Sequence, residues 1–226
     1  LAQPAVRADG LGADGHPRKG GFLPPVDLPR RMWAGGSVRF SGELRVGEEV
    51  LRTSRIADIK EKTGRSGRLF FVTVDHEVLG SAGSVTERQD IVYREAATGP
   101  VAASASASAP APKGQLTEEL VADATLLFRY SALTFNGHRI HYDRSYATGT
   151  EYYPGLVVHG PLQATLLYHL AARWRGQAPS GISFRGQSAL TQGQLTLNAA
   201  EEGAMVRLCT AAPDGPVAMS AEVDWS

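Results

Sequence analysis

The chain has 226 residues, 23 basic against 23 acidic side chains, a hydrophobic fraction of 42% and one cysteine. That length can bury a sizeable core, as one large domain or two small ones, and a formal net charge of zero gives no field to draw it to nucleic acid or an acidic membrane surface. The lone Cys209 excludes an internal disulfide framework and any cysteine-rich zinc module, which suits a reducing setting, the cytoplasm or a mitochondrial matrix.

In chain order, residues 1–36 are punctuated by glycine and proline so densely that no helical or strand period persists, which predicts an irregular arm. From Ser37 the texture changes: Val38, Phe40, Leu44 and Val46 are spaced among polar neighbours like a half-buried strand. "RLFFVTVDHEVLG" and "SVTERQDIVYRE" repeat the style, giving about four strands between Ser37 and Glu95, with hairpin turns at "TGRSGR" and "GSAGS". Residues 96–115, "AATGPVAASASASAPAPKGQ", are too small and proline-bearing to bury surface and read as a linker. The chain is thereby divided into a first unit over 1–99, a linker over 100–115 and a second unit over 116–226.

The second unit carries the long helix. In "HGPLQATLLYHLAARWRGQ", Leu162, Leu166, Leu167, Leu170, Ala171 and Trp174 recur near a 3.6-residue period, with Pro161 suited to the first turn and Gly176 to the stop. Four strand-like runs follow, "GISFRGQSAL", "GQLTLNAA", "AMVRLCTAA" and "VAMSAEVDW". A helix followed by an antiparallel meander predicts an α+β fold with the sheet wound around the helix. The first half shows strands but no matching helix, so as a related unit it is degenerate or truncated. No run of about 18 apolar residues could span a bilayer, and no membrane contact is expected.

Chemistry concentrates in "YSALTFNGHRIHYDRSYA", residues 130–147, with His138 and His141, and in His159 and His169 beyond it. His-x-x-His and His-x-Asp spacings occur in metal sites, but no cysteine or acidic pair completes a recognised pattern, and no metal is expected. His169, inside the helix, is expected to pack. Arg139 and Arg185 are the arginines best placed to hold a phosphate or a carboxylate, since a planar guanidinium suits both.

"FNGHRIHYDRSYA", followed by "YPGLVVHGPLQATLL", resembles the MaoC-like R-specific enoyl-thioester hydratases, whose signature is Asp-x-Asn-Pro-(Leu/Ile)-His-x-Asp, an alanine four residues on, and a His-Gly-x-Leu element opening the hot-dog helix. His141, Asp143 and Ala147 fall on the first part, and His159, Gly160 and Leu162 on the second. The wording is closest to the branch of mitochondrial-type 3-hydroxyacyl-thioester dehydratases and mesaconyl-CoA hydratases, and the match covers about residues 126–170.

The resemblance implies a double hot-dog fold and reversible addition of water to 2-enoyl-CoA thioesters, without a cofactor. It makes His141 the acid–base group and the Gly160 N–H the oxyanion donor. Asn136 stands where the family has its catalytic aspartate, and an amide cannot take a proton from water at neutral pH. Asn136 is therefore expected to orient water or substrate, while proton transfer moves towards His141. His138 and His159 are candidate substrate contacts, His159 also bracing the loop into the helix. Three rivals stay open: a dehydratase of acyl-carrier-protein thioesters, a hot-dog thioesterase and a silent acyl-thioester binder. Two halves in one chain would make a pseudo-dimer, and a homodimer of such chains stays open too.

Overall fold

The computed structural model describes residues 6–64, 67–97, 99, 109–203 and 205–225. Residues 100–108, the greater part of the expected linker, lie outside them. Four long antiparallel strands form the first half: β1 (Arg30–Glu43), β2 (Leu51–Gly64), β3 (Gly67–Leu79) and β4 (Ala82–Arg94). The expected number of strands is present, but β1 begins at Arg30, not Ser37: "RRMWAGG" is strand because Arg31, Met32 and Trp33 pair with Tyr93, Val92 and Ile91. Gly35 and Gly36 suit the following stretch, where the register with β4 shifts between Trp33 and Gly35.

The second half runs β5 (Leu116–Ala122), α1 (Ala124–Thr134), α2 (Arg144–Gly149), α3 (Gly160–Arg175), β6 (Gly181–Gly186), β7 (Gly193–Glu202), β8 (Met205–Ala211) and β9 (Val217–Asp224). The sequence reading gave α3 and its caps: Pro161 lies in the first turn, and Gly176 closes the helix in the left-handed region at φ 66°. It did not give α1. Apolar groups stand on both sides of that helix, with Leu127 buried and Phe128 and Leu133 exposed, so its period is blurred. Asp123 caps it by accepting from Leu126 N–H at 2.8 Å.

All nine described strands join one antiparallel sheet in the order β2-β3-β4-β1-β6-β9-β8-β7-β5. The last four strands are therefore not a simple meander: β6 leaves its sequence neighbour β7, pairs with β9, and gives its other edge to β1. This seam matches Gly35, Gly36, Ser37 and Val38 with Arg185, Phe184, Ser183 and Ile182. Period-two alternation then sends Ile182 and Phe184 to the helix side and Ser183 and Arg185 to the far side.

The helix side holds two apolar clusters. Leu162, Leu167, Leu170 and Ala171 of α3 meet Leu195, Leu197, Val206, Leu208 and Met219 of the sheet. Each fully buried Leu or Met side chain there contributes about 1.5–3 kcal/mol. On the first half, where no helix covers the sheet among the described residues, the arm does so: Val26 and Leu28 pack on Val72, Val74, Ile91 and Tyr93. Trp33 touches both clusters and meets the Phe184 ring in a tilted contact at 4.6 Å, tying the halves together on this side. No described helix is long and apolar enough to cross a membrane.

The close pairing of β1 with β4 makes one substitution diagnostic. A Cβ on Gly36 would lie 2.1 Å from the Arg88 carbonyl oxygen, in backbone that cannot give way. Gly36→Val is expected to destabilise the protein by about 3 kcal/mol or more, read as a large fall in melting temperature by calorimetry; an unchanged midpoint would contradict the continuous sheet.

Candidate active site

The segment between α1 and α2 is irregular, and the backbone bonds made there settle where its side chains go. Phe135 caps α1 in the left-handed region at φ 52°, and Asn136 N–H returns to the Ser131 carbonyl at 2.9 Å. The Asn136 Oδ1 accepts the His138 N–H at 3.2 Å, a local turn that fixes the plane of the amide and leaves its NH₂ to donate. A short 3-10 turn at Arg139–His141 then turns His141 inward. Behind it, residues 156–158 are pinned like a strand: Val157 N–H donates to the Ile140 carbonyl at 3.0 Å and Val158 N–H to the Leu190 carbonyl at 2.7 Å.

His141 Nδ1 lies 2.7 Å from the Val157 carbonyl oxygen. A carbonyl can only accept, so Nδ1 carries the proton and Nε2 keeps its lone pair, the form required of a base. Its ring stacks on that of His159 at 3.7 Å, with planes 19° apart. His159 in turn meets Ser131 Oγ through Nε2 at 2.8 Å, and it precedes Gly160, the first residue of α3. The stack sets the His141 ring against the residue that caps α3. Gly160 is tight for a reason outside its own half: a Cβ there would come 3.0 Å from the Trp33 ring. Gln163 fixes the same helix end, accepting from Thr210 Oγ1 at 2.6 Å and donating to the Val158 carbonyl at 3.4 Å.

The edge of the His138 ring meets His141 at 5.5 Å, and its Nε2 is 3.5 Å from Glu151 Oε1. Glu151 is also paired with Arg30 of β1 at 2.7 Å, both side chains being about nine-tenths buried. The arm adds a fourth imidazole, His16, centred 4.2 Å from His138 and bonded through Nδ1 to Asp14 Oδ2 at 3.0 Å.

These environments set the charges. Burial drives His141 well below its usual value, helped by His159 and His138. Burial also lowers His159 to about 3, with His138 adding to it. His16 falls to about 4 through burial, although Asp14 works against it. Burial acts to raise Glu151, but His138 and Arg30 outweigh it and hold the group below the ordinary carboxylate range. Asp14 behaves alike: burial would raise it, yet His16 brings it down to about 2. The site therefore holds His16, His141 and His159 neutral beside the ionised carboxylates of Asp14 and Glu151.

The other predicted contacts separate. Arg139 is spent within the protein: it pairs with Asp143 at 2.7 Å, donates to the Ala13 carbonyl at 3.0 Å and lies over the Tyr146 ring. Asp143 also caps α2 by accepting from Tyr146 N–H at 3.0 Å, so it stands apart from the imidazoles as a ligand. Arg185 is a correction: it projects from the far face of the sheet, into a groove of about 900 Å³ with Arg88, Arg207 and Glu222. That groove contains none of the site histidines. His169 is a second correction, because it lies exposed on α3 rather than packed. Glu151, Arg30, Asp14 and His16 were not singled out from the sequence. Asp-x-His at 14–16 mirrors the His-x-Asp of 141–143, but it lies in an arm that carries no regular period.

Beside this site a smaller, apolar cavity of about 330 Å³ opens between the arm and α1, lined by Leu11, Pro17, Phe128, Phe135, Asn136 and Ser131 among others. Among the described residues, no lysine, arginine or carboxylate lines it. Its small size and apolar walls suit an acyl chain, and Asn136 and the His159-bound Ser131 connect it to the imidazoles.

Residues 1–192 match the model of the family described as hydroxyacyl-thioester dehydratase type 2. The chain is 47% identical over 220 residues to mesaconyl-C(4)-CoA hydratase of Chloroflexus aurantiacus, covering 95% of this chain and 77% of that protein. Among solved structures it is similar to a MaoC-like dehydratase from Phytophthora capsici, with a TM-score of 0.68 at 14% identity over 92% of this chain and 77% of that one. HtdX from Mycobacterium tuberculosis gives 0.66 at 16% identity, over 87% and 77%. At such identities these two structures speak for the hot-dog fold.

The buried imidazoles make stability depend on acidity. His16, His141 and His159 are neutral when folded, whereas in the unfolded chain they protonate near the ordinary value of about 6.5. Their contribution is full above that pH and is lost as pH falls below it, by about 1.4 kcal/mol per pH unit for each proton taken up on unfolding. The melting temperature is expected to drop steadily between pH 7 and pH 5; a flat profile would show that the rings are not held neutral.

Proposed function

We propose, because this chain belongs to the hydroxyacyl-thioester dehydratase type 2 family, that its imidazole site performs the hydration and dehydration step of that family's chemistry. The chain is a hydro-lyase of 2-enoyl-CoA thioesters. The observation that carries the site assignment is the bond from His141 Nδ1–H to the Val157 carbonyl, which leaves Nε2 as a free base.

In the hydration direction, His141 Nε2 takes a proton from water as the water oxygen bonds to the β-carbon, and the double-bond electrons move towards the thioester carbonyl. The charge on that oxygen is met by the Gly160 N–H at the start of α3, where the first N–H groups have no partner in the helix and the dipole favours an anion. The imidazolium then returns the proton to the α-carbon, so the group ends as it began. Asn136 holds the water through its NH₂, the bond from His138 N–H to Oδ1 fixing the plane of the amide. Burial of His141 serves this role by keeping the ring unprotonated and ready at neutral pH.

The acyl group is assigned to the 330 Å³ cavity. The C. aurantiacus relative favours a short branched or dicarboxylic acyl group such as mesaconyl, whereas the uncharged walls of the cavity favour an apolar one. Coenzyme A rather than a carrier protein, a setting in the cytoplasm or mitochondrial matrix, and two hot-dog-like units joined at the β1–β6 seam complete the proposal.

Two measurements test it. Loss of the conjugated enoyl-thioester absorbance on mixing with a panel of CoA esters, mesaconyl-C(4)-CoA and crotonyl-CoA included, is expected; release of free thiol instead would turn the assignment to a thioesterase, and binding without either change to a silent binder. His141→Ala is expected to lower kcat by about 10²- to 10⁴-fold with the fold intact, and near-normal turnover would remove His141 from the chemistry. In the wild type, kcat/KM should stay level well below pH 6.5 before it falls, since only at lower pH does the depressed His141 become protonated; a fall centred at pH 6.5 would contradict a buried base.

A further inference from the structure

The family signature places a carboxylate five residues before its histidine, and here that position is Asn136. A site that must fix an imidazole's orientation still gains from an ionised oxygen beside it. Among the described residues, the carboxylates against the imidazole group are Glu151, already paired with Arg30, and Asp14 of the arm.

The arm is seated on the histidine loop by its backbone. A Cβ on Gly15 would fall 1.9 Å from the Gly137 oxygen, and one on Gly137 would fall 2.5 Å from the Gly15 oxygen, so both positions must be glycine for the chains to meet. Gly15 also has φ +85°, a conformation glycine adopts freely. Arg139 N–H donates to the Asp14 carbonyl at 2.9 Å, and the Arg139 guanidinium to the Ala13 carbonyl at 3.0 Å. Within this fixed frame the two Asp14 oxygens divide: Oδ1 accepts the His16 backbone N–H at 3.0 Å and Oδ2 the His16 Nδ1–H at 3.0 Å. The His16 ring is thus fixed in tautomer and plane before it meets His138, and the Asp14 oxygen and one nitrogen of each ring lie within 4.8 Å of one another.

We infer that Asp14 and His16 are positioning residues of the reaction centre: Asp14 fixes the His16 ring, and that ring holds His138 against His141. The effect passes from Asp14 to His16, from His16 to His138 across 4.2 Å, and from His138 to the edge-on contact with His141 at 5.5 Å. Gly15 and Pro17 on either side of His16 line the apolar cavity, so the pair also stands at the wall of the proposed acyl pocket. The kinetic part of the inference rests on the hydratase reading; the geometric part does not.

Asp14→Asn is the discriminating variant. It keeps the volume and can keep an acceptor for the His16 backbone N–H, but it turns an NH₂ towards Nδ1, so His16 must move its proton to Nε2. Hydration of enoyl-CoA esters by Asp14→Asn and His16→Gln is expected to lose at least about tenfold in kcat with KM within about twofold of wild type, while the melting temperature changes little. In ¹⁵N imidazole spectra of Asp14→Asn, the His16 tautomer should reverse and the His138 and His141 resonances should shift. Unchanged kcat in both variants, or His138 and His141 signals that do not move, would overturn the inference. So would stoichiometric uptake of zinc or ferrous ion by wild type but not by Asp14→Asn, because the same atoms would then be metal ligands. A wild type that hydrates no enoyl-CoA would defeat the hydratase reading alone, and the spectra would still decide whether the pair positions the two rings.

Discussion

The bond from His141 to the Val157 carbonyl is the constraint on which the rest of the site depends. A main-chain oxygen pinned on both sides, by Ile140 at one residue and Leu190 at the next, cannot rotate to suit its partner. It therefore dictates both the tautomer and the plane of the ring. The same pinned segment runs into His159 and the start of α3, so the proposed base and the helix end proposed to meet an anion are held by one short piece of backbone.

Stacking two imidazoles at 3.7 Å in a buried site is compatible with stability because both stay neutral. Charging either would set a cation against its neighbour in a place poor in water, which is why burial governs the protonation of His141, His159 and His16 alike. The carboxylates answer in the opposite sense: Glu151 remains ionised between Arg30 and His138, and Asp14 beside His16. A buried pair such as Arg30–Glu151 is modest evidence for stability, since desolvation offsets much of the attraction, but it fixes geometry, and here it fixes β1 of the first half to the loop after α2.

That link shows why the site is not a property of the second unit alone. Trp33 backs Gly160, Arg30 reaches Glu151, and the arm delivers Asp14 and His16, all from the first 36 residues. The β1–β6 seam makes these approaches reproducible, because a continuous ladder leaves the two halves no freedom to slide. The arm meanwhile covers the apolar face that a helix would otherwise cover on the first half.

The sequence by itself determined those features that local rules control. The period of Leu162, Leu167 and Leu170, with Pro161 and Gly176 at the ends, specifies α3 whatever surrounds it, and the spacing of His141, His159 and Gly160 carries the family signature. The strands of the first half follow from alternation in the same way, apart from the start of β1, whose arginines, methionine and tryptophan alternate too weakly to announce it. Tertiary structure alone decided which sheet edge β6 would join, which face Arg185 would take, and that residues 120 or more positions apart, Arg30 with Glu151 and His16 with His138, would share one buried site. Contacts of that kind leave no period along the chain: a glycine-rich arm looks the same in sequence whether it is free or seated on the histidine loop, and the difference lies in backbone fits such as Gly15 on Gly137, which arise when the chain has folded.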